Sequence, residues 1–185
     1  MKGTSENIMQ YTRKQAIDRL LESYRTCFNI TMFEEEQKPL TALCEFFERS
    51  GQYVLTRKAN LWSTYREEFV YVFDIEHLTR AAFEQCRDFA YEDGMKRAHI
   101  GPEHMYTYIT PVFICDTCEE EARRTLKKCR IFKSFHFSLH GWMDFHTAVL
   151  EVSSHQISTN KSGKCVEKIM KNILFQKKKK RRRFL

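Results

Sequence analysis

The sequence is poor in chain breakers. Its 185 residues contain three prolines and six glycines, far fewer than a collagen-like or low-complexity disordered chain requires. No stretch approaches the ~20 consecutive apolar residues that cross a bilayer as a helix. Met1–Arg13 holds no apolar run able to act as a secretory h-region. Neither a G-x-S-x-G elbow nor an H-E-x-x-H helix occurs, so the best-marked hydrolase and metalloprotease signatures are excluded. What the chain has in quantity is aromatic: fifteen Phe and eight Tyr, in a composition 42% hydrophobic and 30% charged. That composition folds, and the length suits one domain of ~150 residues with a short appendage. Such a domain hides ~70% of its unfolded surface, enough for a sizeable core.

The formal charge of +7 comes from 31 basic and 24 acidic residues. Seven of the basic residues stand together at the C-terminus: Lys177, Lys178, Lys179, Lys180, Arg181, Arg182 and Arg183. Without them the chain has 24 of each sign, so residues 1–176 are formally neutral and the basic balance belongs to the tail. Seven cysteines (Cys27, Cys44, Cys86, Cys115, Cys118, Cys129 and Cys165) form an odd, scattered set. Without a leader segment they read as reduced thiols in the cytoplasm, most of them small buried apolar side chains.

Periodicity predicts a helix over Ser5–Phe28, with Ile8, Ala16, Ile17, Leu20, Leu21 and Tyr24 recurring at helical spacing, and then a charged loop over Phe33–Lys38. Pro39–Gln52 fits two patterns. Leu40, Leu43, Cys44 and Phe47 make a helical stripe behind Pro39. Ala42, Cys44 and Phe46 against Glu45, Phe47 and Arg49 make a strand that Ser50–Gly51 would turn into Tyr53, Val54 and Leu55. Phe69–Phe73 is five apolar residues in a row, the mark of a strand covered on both faces. A helix is predicted over Asp74–Tyr91, ended by Asp93–Gly94, followed by a strand over Tyr106–Cys115 that Pro111 assigns to an edge or a bulge. Thr117–Lys128 is helical, acidic at its start and basic at its end, in keeping with the helix dipole. Strands are predicted over Ile131–Leu139, Phe145–Val152 and Ile157–Thr159, and a last helix over Lys164–Phe175. This order implies a single α/β (α+β) domain over residues 1–176. Its sheet is mixed, mostly antiparallel, with about five to six strands and flanking helices, and a disordered basic tail follows over 177–185.

Candidate chemistry is sparse. Cys115 and Cys118 form a C-x-x-C pair where a strand gives way to a helix, a place that lowers a thiol pKa. No aromatic residue directly precedes Cys115, and no proline follows residue 111 to supply the cis-proline of a thioredoxin site. As metal ligands, Cys115 and Cys118 would need Cys129 and one of His136, His140 or His146, a set without two close-spaced pairs. On one strand, His136 and His140 would lie ~13 Å apart. No metal and no cofactor is expected. Thr159–Lys164 resembles half a P-loop, but the earlier glycine is missing and Cys165 stands where Ser or Thr would bind magnesium. Asn160 and Ser162 are better read as cap and turn residues. Tyr53–Arg57 and Phe69–Phe73 lack the acids of a restriction-endonuclease-like core. Three candidates for acid–base work remain, His104, Asp144 and His146, near Gly141–Trp142.

Four segments together resemble a known family. They are Phe46-Phe47-Glu48-Arg49 followed by Tyr53-Val54-Leu55; Glu103-His104-Met105-Tyr106-Thr107; Phe135-His136-Phe137 with Gly141-Trp142-Met143-Asp144; and Thr159-Asn160-Lys161-Ser162-Gly163-Lys164. They are similar to a family of small bacterial cytosolic proteins known only as a domain of unknown function. The resemblance covers roughly residues 5–170, leaves the tail and the Cys115–Cys118 pair outside, and implies an α/β domain with a hairpin at Leu40–Leu55. It implies no activity. The expected function is non-catalytic binding, with the seven basic tail residues contacting nucleic acid or an anionic membrane face. The alternative is a small-ligand binder or hydrolytic enzyme with its site near Trp142, Asp144 and His146.

Overall fold

Two apolar runs set the middle of the molecule. The computed structural model describes residues 11–53 and 60–175. The basic run Lys177–Arg183 and the predicted turn partners Val54 and Leu55 lie outside the described residues. Strand β3 (Asn60–Leu78) carries Phe69–Phe73 and pairs in parallel with β4 (His104–Cys118), which carries Ile109–Cys115. Both runs are buried on both faces, as parallel strands between helical layers must be. Val70, Val72, Val112 and Ile114 point to one side, where helices α1 (Arg13–Tyr24) and α4 (Lys164–Phe175) cover them. Phe69, Tyr71, Phe73, Ile109 and Phe113 point to the other, under α2 (Arg80–Arg97) and α3 (Glu120–Lys128). Arg13 ties the start of α1 to the sheet through Asp74 (2.6 Å) and Asp116.

Outside β3 lie β2 (Leu40–Tyr53) and β1 (Asn29–Met32), each antiparallel to its neighbour. On the other flank, β6 (Trp142–Phe145) and β7 (Ala148–Glu151) lie end to end, both parallel to β4. Antiparallel β5 (Phe132–Ser134) and β8 (Gln156–Thr159) close that side. The sheet is thus mixed, with four antiparallel and three parallel pairings. It has eight strands rather than five to six. The four-residue edge strand β1 falls between the predicted helix and the predicted loop, and the strand predicted over Phe145–Val152 is divided.

Several boundaries move for identifiable reasons. Ser50 and Gly51 do not turn the chain; they continue β2, opposite Thr64 and Ser63. Asp74–Leu78 prolongs β3, and α2 starts later, where the Thr79 hydroxyl accepts from the Ala82 amide (3.1 Å). Gly94 does not end α2. It lets the helix approach the sheet, because a Cβ there would sit 2.7 Å from Ile109 Cδ1. Ile131–Leu139 is not one strand: after β5 it becomes a turn with His136, Phe137 and Ser138 in left-handed conformation.

Pro111 lies on the central strand, neither at an edge nor at an extra residue. The register runs unbroken from Ile109↔Phe145 to Val112↔Ala148, but the ladder opens between them. His146 donates its amide to the Ile109 carbonyl (2.9 Å), and the next rung of a parallel ladder needs an amide from residue 111. Proline has none. The gap between β6 and β7 is closed from the far side by Asn160. Its Oδ1 accepts from the amides of Thr147 (3.1 Å) and Gly163 (2.8 Å), and its Nδ2 donates to the carbonyls of Cys129 (3.1 Å) and Phe145 (2.8 Å). The residue read as a cap is a four-point clamp, 1% exposed. Replacing Asn160 with Ala leaves several buried backbone groups unpaired. The expected loss is ~3 kcal/mol or more, read as a drop of roughly 6–12 °C in Tm by differential scanning calorimetry.

Candidate functional site

The helices α1 and α4 leave the lower half of their sheet face open, and pairing sets two rows of side chains across it. One row is Glu48, Arg66, Tyr106 and Trp142; the next is Phe46, Glu68, Tyr108, Asp144 and Phe132. In the first row Arg66 pairs with Glu48 (2.7 Å) and hydrogen-bonds to Tyr106. The rings of Tyr106 and Tyr108 stack at 4.5 Å, Trp142 lies 5.8 Å from Tyr106, and His146 lies 4.6 Å from Tyr108. Trp142 is half-buried against its neighbours, not packed in the core.

Three titratable groups on this face are displaced from their ordinary values. Burial raises the Glu68 carboxyl to about 7. Burial lowers the His146 imidazole, opposed in part by Asp144, whose Oδ2 stands 3.8 Å from Nε2. The Cys165 thiol, in the first turn of α4, is raised by burial, with the charges of Glu68 and Asp144 adding to it. Among the described residues His146 Nδ1 and the neighbouring Thr110 hydroxyl have no hydrogen-bond partner, although both are buried. The arrangement offers a protonatable carboxyl beside a neutral imidazole on an aromatic floor, but no activated nucleophile.

Of the three predicted acid–base residues, Asp144 and His146 share this face. His104 does not. It lies on the opposite side of the sheet, 3% exposed, in a chain of polar contacts. His104 Nε2 meets the Thr107 hydroxyl (2.8 Å), which donates to Glu67 (3.1 Å), and Glu67 accepts from the His99 amide (3.1 Å) and faces His99 Nδ1 (2.5 Å). His104 Nδ1 contacts the His140 carbonyl at 2.7 Å. The expected convergence of His104 and Asp144 therefore does not occur.

Cys115 is fully buried in β4, and its thiol is raised by its hydrogen bond with Cys118 and by burial. Cys118 is lowered by the same bond. No substrate disulfide reaches Cys115 without opening the core. Nearby, Arg123 pairs with Glu151 (2.6 Å), which also accepts from the Cys118 amide (3.1 Å). His136 and His140, expected ~13 Å apart on a strand, stack at 4.8 Å in the turn. Among the described residues no three His, Cys, Asp or Glu side chains are gathered as a metal would need.

A second feature was not legible in the sequence. A cleft of about 510 Å³ opens between α2 and the start of β2. Phe33, Leu40, Leu43, Tyr71, Phe73 and Phe89 supply apolar walls, and Gln37 and Gln85 line it too. One end is polar: the Tyr71 hydroxyl donates to Asp93 (2.7 Å), and Arg97 pairs with Asp93 (2.6 Å) and Glu45 (3.1 Å). The Cys86 thiol in the wall is raised by burial to about 11. Phe33 and Gln37 fall in the predicted loop and Asp93 at the predicted helix stop, so nothing in the sequence brings them together.

The model of the family described as Domain of unknown function (DUF8052) matches residues 12–172. The chain belongs to that family. No curated protein and no solved structure matches it. The match runs from the start of α1 into α4, so both the open sheet face and the cleft lie within the family domain.

Glu68 sets a pH dependence. Unfolded, its carboxyl titrates near 4.5; folded, near 7. The stability this difference contributes is complete below the unfolded value and declines as pH rises from about 4.5 through 7. Glu68→Gln should flatten that decline, measured as the urea midpoint between pH 4.5 and pH 8. An unchanged slope would show that Glu68 ionises normally.

Proposed function

We propose that this domain is a cytoplasmic, non-catalytic binding module that holds a small, largely apolar molecule in the cleft beside α2. The observation that carries this reading is the cleft itself, about 510 Å³ of mostly apolar wall with one polar end. That volume and composition suit a small-molecule site. The charged residues lining the polar end are Asp93 and Arg97, paired with each other and so in balance, with the Tyr71 hydroxyl beside them. A neutral hydroxyl or amide head suits such an end better than a charged one. A Cys86 thiol held at about 11 is protonated at neutral pH, in keeping with binding rather than thiol chemistry. All seven cysteines are free, which suits a reducing compartment, and no described helix is long and apolar enough to cross a membrane.

The probe for a test is an uncharged naphthylamine dye. It should bind saturably at one site, with amide shifts confined to Leu43, Tyr71, Gln85 and Phe89 in 1H–15N spectra. Ala82→Trp, which fills the cleft from α2, should weaken binding at least tenfold while leaving the fold's spectrum intact. Shifts elsewhere, or equal binding by the variant, would reject the cleft as the site.

The polybasic run adds non-specific contact with polyanions. Deleting Lys177–Leu185 should abolish salt-sensitive retention on heparin without changing Tm; unchanged retention would remove the tail from this role. A second reading places hydrolytic acid–base chemistry on the open sheet face, at Asp144, His146 and Trp142. It is favoured by one observation, the buried His146 ring with Nε2 3.8 Å from Asp144 Oδ2 and Nδ1 without a hydrogen-bond partner among the described residues.

A further inference from the structure

The turn between β5 and β6 is held in an unusual shape. His136, Phe137 and Ser138 are three consecutive non-glycine residues at φ 47°, 53° and 67°. Side chains rarely adopt that region, and a run of three persists only where the surroundings enforce it. Here they do. The Phe135 amide donates to the Gly141 carbonyl (3.0 Å), the Leu139 amide to His136 (3.0 Å) and the His140 amide to Phe135 (3.2 Å). The Ser134 and Ser138 hydroxyls meet at 2.8 Å, and the His136 and His140 rings stack. The base is fixed by His104 on the His140 carbonyl. Gly141 seals it, lying so near β4 that a Cβ would stand 2.2 Å from the Met105 carbonyl oxygen.

This rigid turn holds apolar side chains in water. Phe137 is 97% exposed and Leu139 71%, with Phe132 at 65% on the adjoining strand. From Ala122 to Met143 the sequence has no acidic residue. Lys127, Lys128, Arg130 and Lys133 in that stretch are exposed. Their basic neighbours Arg123 and Arg124 are engaged by Glu151 and Glu120. The carboxylate closest in register is Asp144, opposite Phe132 and away from the tip.

We infer that the turn at Phe135–Gly141 docks the protein on an anionic lipid surface, with Phe137 and Leu139 entering the interfacial layer and the four basic residues meeting headgroups. A stable protein interface needs ~800 Å² of complementary surface on each partner. Two side chains projecting from a tight turn do not provide that. A bilayer requires no complementary shape, only apolar groups that reach below the headgroups and cations around them. The fixed turn means that insertion orders nothing further, so little entropy opposes it. The inference is independent of the cleft, which lies beside α2.

The test is flotation of the full-length chain with phosphatidylcholine vesicles, with and without phosphatidylserine. It is run at low salt and at ~1 M, where the Debye length falls to ~3 Å and the tail's attraction is screened. The chain should float with serine-containing vesicles and retain part of that binding at high salt. The double variant Phe137→Ser, Leu139→Ser should lose about tenfold or more in partitioning, with unchanged Tm because both side chains are exposed. Phe137→Trp with Leu139 intact should keep binding and shift its emission to the blue on vesicles. Absence of flotation, or equal flotation of the native chain and the double serine variant, would overturn the inference. A native dimer in sedimentation equilibrium that the same variant dissociates would also overturn it, assigning the patch to a second copy of the chain.

Discussion

The missing amide of Pro111 shapes more of this molecule than any single side chain. β4 is the spine of the sheet, bonded to β3 along one edge and to β6 and β7 along the other. A central strand leaves no solvent to satisfy an unmet rung. Because residue 111 cannot donate, the ladder beside it opens at His146 and Thr147 while the register is kept. On the side of the break that faces away from β4, Asn160 meets the Thr147 amide and the Phe145 carbonyl. In doing so it fixes the loop before α4, and with it Cys165 and the helix that covers half of that sheet face. His146 is left in the gap beside Tyr108, buried and held neutral.

The two faces of the sheet are used unequally. On the α2 and α3 side, aromatic packing is continuous through Phe73, Phe83 and Phe113, and the cleft lies where the sheet runs on past α2 into β2. On the α1 and α4 side, the helices stop short and leave two rows of aromatic and charged residues half-exposed. Glu68 sits at the border of these regimes, half-buried between Phe46 and Tyr108, and burial raises its carboxyl to about 7. The turn at Phe135–Gly141 leads into β6 and is anchored from beneath by His104, so a predicted acid–base histidine positions a loop.

Legibility in the sequence followed the range of the interactions. The helix beginning at about Lys164 is readable from the sequence because its apolar stripe is local. Phe69–Phe73 was readable as a doubly covered strand because no other short element needs five apolar residues in a row. Gly94 and Pro111 misled in opposite ways. Gly94 looks like a stop but serves a close helix–sheet approach to Ile109, a neighbour fifteen positions away that local pattern does not reveal. Pro111 looks like an edge residue but is tolerated in the centre because the adjacent strand is interrupted beside it. Alternation over Ile131–Leu139 predicts a strand, yet Gly141 must pass under Met105, and the chain reaches that point only by coiling through three left-handed residues.

The amino-acid sequence by itself determined the class of fold, the neutral body with its cationic end and the absence of the common catalytic signatures. These depend on composition and on spacings within one element. Only the tertiary structure decided which residues meet. It separated His104 from Asp144 by the thickness of a sheet, brought Glu68 beside Tyr108 and Asp144, and assembled the cleft from Phe33, Leu43, Tyr71 and Phe89. Register and strand order set those meetings, and both are properties of pairing between distant segments rather than of any segment alone.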